Sequence, residues 1–512
     1  MVQQESRVKK SLLNARVNLI FYFLTLTLSF FSRKIFLDTL GADFVGLTGT
    51  LQNLLGFLNL AELGIGSAIG YILYKPLFDH DEIKINEIIS VFGYLYRWIG
   101  KIILLVGCGL ACFLPLIFPN TRFELGFIFF AYFSFLISAL IGYFINYRQV
   151  LLGADQKNYV VTAYFQGTSL LKVLIQLFLA YYTANYYLWI VIELLFGVLY
   201  SLILNKKIEQ VYPWLRSDLK KGKAGLKKYP EVMKYTKQLF VHKMATFVQF
   251  QTLPLLVYTF VSLQMVAYYG NYTIITEKLN LLLNSFLGST GAGVGNLIAE
   301  KKLEKILQVF WELMAIRFFI ASIFIIAIYE LLPAFIILWL GEQYLLSETV
   351  LILILYTLFV TVIRGSTDQF LFGYGLFSDV WAPLVESIVY IIVAFIGGFY
   401  WGLEGVLLGS VVSLSIIVCG WKPYFLFTRG FHLSVFVYWS NWIKYLFLSI
   451  IAFMFVVWGS SRMRLMEYIL ISWSHWVIGA IIIVVVSSLT LFLILYVGTK
   501  GMRDFVKRII KK

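Results

Sequence analysis

Apolar runs of about 17 residues or more recur from one end of this 512-residue chain to the other, and each is long enough to cross a hydrocarbon core about 30 Å thick. Within lipid a backbone amide finds no water. The α-helix is the element that satisfies its own N–H and C=O groups inside a single segment, so each run reads as a helix. Charged residues make up 13% of the chain, against about 25% in soluble domains. The sequence therefore specifies an all-α polytopic membrane protein.

Fourteen transmembrane helices are predicted, over residues 14–36, 44–73, 91–118, 123–146, 159–182, 186–204, 237–262, 266–297, 311–334, 347–370, 381–400, 403–427, 440–458 and 475–497. Between the spans and at their ends, Lys and Arg gather on alternate sides. The exceptions on the other side are Arg33, Lys34, Arg122, Arg462 and Arg464. Cytoplasmic segments carry the excess of basic residues, so both termini are predicted to be cytoplasmic. The net charge of +15 is then an orientation signal, and no nucleic-acid partner is expected. The N-terminus is basic and then apolar for too long to be a signal-peptide core, which predicts an uncleaved first helix.

Residues 205–236 form the one long connection, and it is strongly basic. It divides the chain into residues 1–204, a first lobe of helices 1–6, and residues 237–430, a second lobe of helices 7–12. Residues 431–512 supply helices 13 and 14 and a basic cytoplasmic tail. The two lobes align at an offset of 227 residues without a gap. Lys10 falls on Lys237, Arg16 on Lys243, Asn53 on Asn280, Gly64 on Gly291, Gly66 on Gly293 and Lys75 on Lys302. Both copies start inside, so the repeat is parallel, with its axis along the membrane normal. Transporters with such repeats hold substrate near the interface of the halves.

Intramembrane charges are expensive, about 2.5–3.5 kcal/mol each on insertion scales, and so mark pairs or functional sites. Lys172 lies near the middle of helix 5, and Lys278 lies in the outer half of helix 8 beside Glu277. Neither reaches an interface by snorkelling. Arg16 and Lys243, the repeat-related pair, lie near cytoplasmic ends and can snorkel. If Arg16, Lys172, Lys243 and Lys278 line one wet cavity, it focuses anions and suits phosphate. Glu62, Glu193 and Glu277 pull the other way, towards a cationic substrate or a coupling ion, a proton or Na+. Arg364 and Asp368, at i,i+4, are expected to pair with each other, and Arg317 lies near an inner helix end.

The segment "LNLAELGIGSAIGYILYKP" sets Glu62 among Gly64, Gly66 and Gly70 on helix 2. Gly291, Gly293 and Gly295 occupy helix 8. Small residues at this spacing serve either close helix packing or bending. Cys108, Cys112 and Cys419 lie in apolar spans without metal-ligand company. No phosphate-binding loop, H-E-x-x-H or G-x-S-x-G is present, so a transporter without cofactor or catalytic residues is expected rather than an enzyme.

"LGADFVGLTG" with "LAELGIGSAIGYILYKPL", and "GSTGAGVGNLIAEK" on helix 8, resemble bacterial polysaccharide (O-antigen or capsule) flippases. These are the Wzx-like branch of the multidrug/oligosaccharidyl-lipid/polysaccharide exporter superfamily. The resemblance implies two six-helix lobes in a V, two further helices, a cationic cavity and alternating access. The implied substrate is a polyprenyl-pyrophosphate-linked oligosaccharide, moved to the outer leaflet of the bacterial cytoplasmic membrane for surface polysaccharide assembly. Implied partners are that substrate, membrane lipids and the assembly machinery. Basic residues on helices 1, 2, 7 and 8 would meet the pyrophosphate. This chain offers Arg16 and Arg33 on helix 1, Lys243 on helix 7 and Lys278 on helix 8. Helix 2 departs from the pattern, with Glu62 and no buried base. A cation-coupled multidrug exporter or a lipid II flippase of the same superfamily is the alternative reading, ahead of a membrane glycan polymerase or acyltransferase.

Overall fold

The computed structural model describes residues 7–58, 65–119, 121–155, 157–230, 232–233, 251–288, 294, 297–298, 302–376, 378–379 and 381–510. Among the described residues the chain is helical without strands. Ten helical runs are long and apolar enough to cross a membrane. They are carried by α1 (Arg7–Leu40), α4 (Glu82–Ala111), α5 (Leu125–Phe144), α6 (Asn158–Thr183), α7 (Tyr186–Val211), α10 (Leu303–Trp339), α11 (Glu348–Gly373), α12 (Trp381–Leu414) with its continuation to Gly430, α13 (Phe436–Arg462) and α14 (Trp473–Gly498). Spans expected at 44–73, 237–262 and 266–297 are described in part. They contain α2 (Ala42–Gly56), the start of α3 (Ile65–Phe78), helical residues 251–260 and α9 (Leu263–Gly288). Two shorter helices are α8 (Leu219–Lys228) and α15 (Lys500–Ile510).

Several hydroxyls inside these helices are satisfied without water by donating back to the preceding turn. Thr25 Oγ1 donates to Phe21 O at 2.7 Å, Thr39 Oγ1 to Ile35 O at 2.6 Å and Thr168 Oγ1 to Tyr164 O at 2.6 Å. Several helix starts are capped by a side-chain oxygen. Asp81 accepts from Lys84 N, Asn185 from Tyr187 N and Leu188 N, and Ser347 from Val350 N.

The chain divides into two compact units, Met1–Ala267 and Tyr268–Lys512, with the division falling in α9. In the first, α1 packs on α6, α4 on α5, and α5 and α6 on α7. An aromatic cluster ties α1, α2, α5 and α7 together. Phe44 stacks on Tyr186 at 4.8 Å, and Trp189 meets Phe44 and Phe36 edge-on at 5.4 and 5.7 Å. The basic connection contains α8, which docks on α4. Gly222 approaches Ser90 and Tyr94 so closely that a Cβ there would overlap the Ser90 carbonyl and Tyr94 Cβ. Asp218 N donates to Ser90 Oγ at 2.8 Å, and Lys228 Nζ pairs with Glu87 at 2.6 Å. Lys220, Lys221, Lys223 and Lys227 point away from α4 and are exposed.

In the second unit, α10 is the central element, contacting α11, α13, α14 and α15. Its Phe310 is fully buried among Phe370, Phe427 and Phe431, with ring centroids 5.2 to 5.6 Å away. Below it Glu312 accepts from Gln308 Nε2 at 3.0 Å and pairs with Arg508 of α15 at 3.1 Å. The spans expected at 381–400 and 403–427 follow each other without a loop. Gly402 turns the chain at φ 56°, ψ −127°, a combination closed to residues with a Cβ. The two arms then touch backbone to backbone at Gly397 and Gly405. Beyond Leu414 the helix widens to π turns at Ser415–Trp421 and Leu426–Gly430, on either side of Pro423. Proline cannot donate to the residue four back, and the wider turn accommodates its ring.

Candidate functional site

In the first unit the site is built on the α6–α7 hairpin. Ala184 takes a left-handed conformation (φ 47°) and Asn185 caps α7, so the two helices reverse within a couple of residues. This turn sets Lys172 against Glu193. Lys172 Nζ lies 2.6 Å from Glu193 Oε1, and the two side chains are 19% and 18% exposed. Gln176, one helical turn beyond Lys172, donates through Nε2 to Glu193 Oε2 at 3.1 Å and to Trp189 O at 3.1 Å. Both carboxylate oxygens are thus engaged, and a charge that is costly alone in lipid becomes half of a neutral, hydrogen-bonded pair. Trp189 carries the cluster into the aromatic contacts with α1 and α2.

The structure thereby joins two residues expected to act separately, Lys172 as an anion site and Glu193 as a coupling carboxylate. Among the described residues of the first unit, Arg16 and Arg33 do not join them. Arg33, at the far end of α1, donates from Nη2 to Ala267 O at 2.7 Å. Arg16 is exposed on α1. In the second unit Lys278 is half-buried on α9 and Glu277, beside it, is exposed. Gly66 and Gly70 lie on α3. A Cβ at Gly66 would stand 3.6 Å from Tyr96 Oη, an ordinary contact, and one at Gly70 would enter open space. Glu62, Gly64, Lys243, Gly291, Gly293 and Gly295 lie outside the described residues.

The second unit holds further intramembrane charges. Arg364 Nε pairs with Asp368 Oδ2 at 2.9 Å, as their i,i+4 spacing predicts. Arg317, expected near a helix end, is only 3% exposed and donates from Nη1 to Val362 O at 2.9 Å. Gly365 on α11 leaves the space its guanidinium occupies. Asp379 and Lys422 escape sequence reasoning, because 43 residues separate them. They pair at 2.7 Å, and Trp421 Nε1 adds a hydrogen bond to the same Asp379 oxygen at 3.2 Å. Gln176 also goes unremarked in the sequence. Its signal is the four-residue step from Lys172, which puts both on one helix face.

Among the described residues this arrangement is an all-helical fold with ten helical runs long and apolar enough to cross a membrane. The chain is similar over 97% of its length, and over 100% of the other chain, to the lipid II flippase MurJ in an inward closed conformation, at TM-score 0.66 and 15% identity. It is similar over 80% of its length, and 97% of the other chain, to a multidrug resistance MATE family transporter of the MOP superfamily in an inward-facing conformation, at TM-score 0.56 and 16% identity. At these identities the likeness is one of fold. No family model and no curated protein matches the sequence.

Proposed function

We propose that this chain is a flippase that moves a polyprenyl-pyrophosphate-linked oligosaccharide repeat unit across the bacterial cytoplasmic membrane, by alternating access, for surface polysaccharide assembly. The observation that carries the reading is the likeness of fold over the whole length of a flippase. In the proposed protein fourteen helices cross the membrane, both termini are cytoplasmic, and the lobes 1–204 and 237–430 rock about the substrate. The sugar and pyrophosphate pass through a wet cleft while the polyprenyl tail stays in lipid.

The Lys172–Glu193 pair gives this cycle a chemical step. A pyrophosphate oxygen replaces Glu193 as the partner of Lys172, and the released carboxylate takes up a proton or Na+. Substrate binding and ion binding are then linked at one pair, because the low-dielectric site does not tolerate an unpaired charge. Lys278, with Arg16, Arg33 and Lys243, supplies further positive charge for the pyrophosphate, and Glu277 and Glu62 are further coupling carboxylates. Both the differential affinity of the two states for substrate and the ion gradient bias the transition.

The test is reconstitution of the full chain in vesicles carrying fluorescent polyprenyl-pyrophosphate oligosaccharide, with leaflet exposure read by a quencher. Transfer that depends on the chain supports the proposal. Vesicles in which the fluorophore stays in its leaflet overturn it. Lipid II is the second reading, favoured by the full-length fold likeness to MurJ, and a cationic drug is the third. The same vesicles loaded with each cargo decide among them.

A further inference from the structure

A second site lies within the second unit and does not depend on the transport reading. Where the helical hairpin begins and ends, a cavity of about 420 Å³ opens between the two arms. Its walls include Ser378, Asp379, Trp381, Trp421, Tyr424 and Arg429. Trp421 meets Trp381 at 4.6 Å and Tyr424 at 5.4 Å, so the aromatic side is one continuous surface. On the polar side Asp379, 5% exposed, is neutralised by Lys422. Arg429 is exposed at the rim and leaves the cavity with one net positive charge. The π turns that precede and follow Pro423 carry Trp421 and Arg429 into the wall.

The rim continues onto the outside of α12. Trp381, Ile388, Ile392, Phe395 and Phe399 recur at helical spacing, and all are exposed apolar side chains. A ligand seated against Trp381 therefore has an apolar track leading along the helix into the bilayer. On the predicted topology this end of the hairpin faces the cytoplasm, and Trp and Arg there sit at headgroup level.

We propose that this cavity binds the headgroup of an anionic glycerophospholipid from the cytoplasmic leaflet. Arg429 pairs with the phosphodiester, whose single negative charge matches the single net positive charge of the cavity. Ser378 and Asp379 Oδ1 meet the hydroxyls of a glycerol head, and the acyl chains follow the stripe from Trp381 to Phe399. The volume lies near the small end of ligand sites, about 300–1,000 Å³. It suits one phosphodiester head rather than an oligosaccharide on a pyrophosphate.

The test is native mass spectrometry of the full chain released from detergent micelles after titration with phosphatidylglycerol. One lipid is expected to be retained, with retention falling roughly tenfold in Arg429→Gln and in Trp381→Ala, since a charge-assisted contact or an aromatic wall is lost. Arg429→Lys, which keeps the charge, is expected to fall between. Both altered residues are exposed, and size-exclusion elution identical to the parent verifies the fold. Equal retention by the parent and both variants overturns the assignment. Equally tight retention of phosphatidylcholine overturns the anionic preference. Displacement of phosphatidylglycerol by inorganic phosphate makes the cavity a free-anion site, and displacement by a polyprenyl pyrophosphate makes it a carrier-lipid site. Either result overturns the phospholipid source.

Discussion

Lys172 Nζ and Glu193 Oε1 stand 2.6 Å apart across the α6–α7 hairpin, and Gln176 holds the other carboxylate oxygen. The pair is mostly buried, so each partner depends on the other for its charge. Removing one leaves an uncompensated ion, which costs about 3–5 kcal/mol in buried pairs. Lys172→Ala is expected at the lower end of that range, because Gln176 still donates to Glu193. The double variant Lys172→Ala/Glu193→Ala removes both charges and should regain part of the loss. Thermal unfolding in detergent, run as a double-mutant cycle, measures the coupling. A Lys172→Ala melt equal to that of the parent would show that the pair holds nothing.

Export makes a separate demand on the same lysine. Lys172→Ala and Lys278→Ala are each expected to abolish appearance of surface glycan while membrane insertion stays normal. Glu193→Gln should keep Lys172 but uncouple transfer from the ion gradient. Glycan detection on whole cells, beside quantification of the membrane-inserted chain, separates these effects. Normal export by both lysine variants and their double would remove the cationic assignment.

The hairpin at Gly402 rests on backbone geometry. Gly402→Ala places a Cβ at φ 56°, ψ −127° and is expected to cost about 1–3 kcal/mol. Gly405→Leu should cost at least as much, since any side chain there collides with the Gly397 backbone. Melting temperatures of the two variants against an exposed control, Ile392→Ala, provide the measurement. Unchanged stability in Gly405→Leu would mean that the arms part freely.

The docking of α8 is testable by proteolysis. Gly222→Leu is expected to lift the helix from Ser90 and Tyr94 and to speed tryptic cleavage at Lys220, Lys221 and Lys223 by roughly tenfold, because cleavage follows local opening. Fragment mapping by mass spectrometry reads the rate. Identical digestion of parent and variant would contradict a docked helix.

The local chemistry of the chain was legible from its order alone. Runs of apolar residues required helices in a bilayer, because backbone groups in lipid must satisfy themselves. The four-residue step from Arg364 to Asp368 required one helix face, and their pairing followed. The basic character of residues 205–236 was evident from composition, but the ordering of α8 needed Gly222 and Gly225 to meet α4. The partners of the buried charges could not be read in the same way. Which residue meets Lys172 depends on how α6 and α7 are rotated about their axes, and which meets Lys422 depends on the return of a 50-residue hairpin to its own start. Hydropathy is nearly constant around α7, so it does not fix that rotation. The sequence determined what must lie in the membrane. Side-chain packing, through glycines at close approach and aromatic contacts, decided which charges meet there.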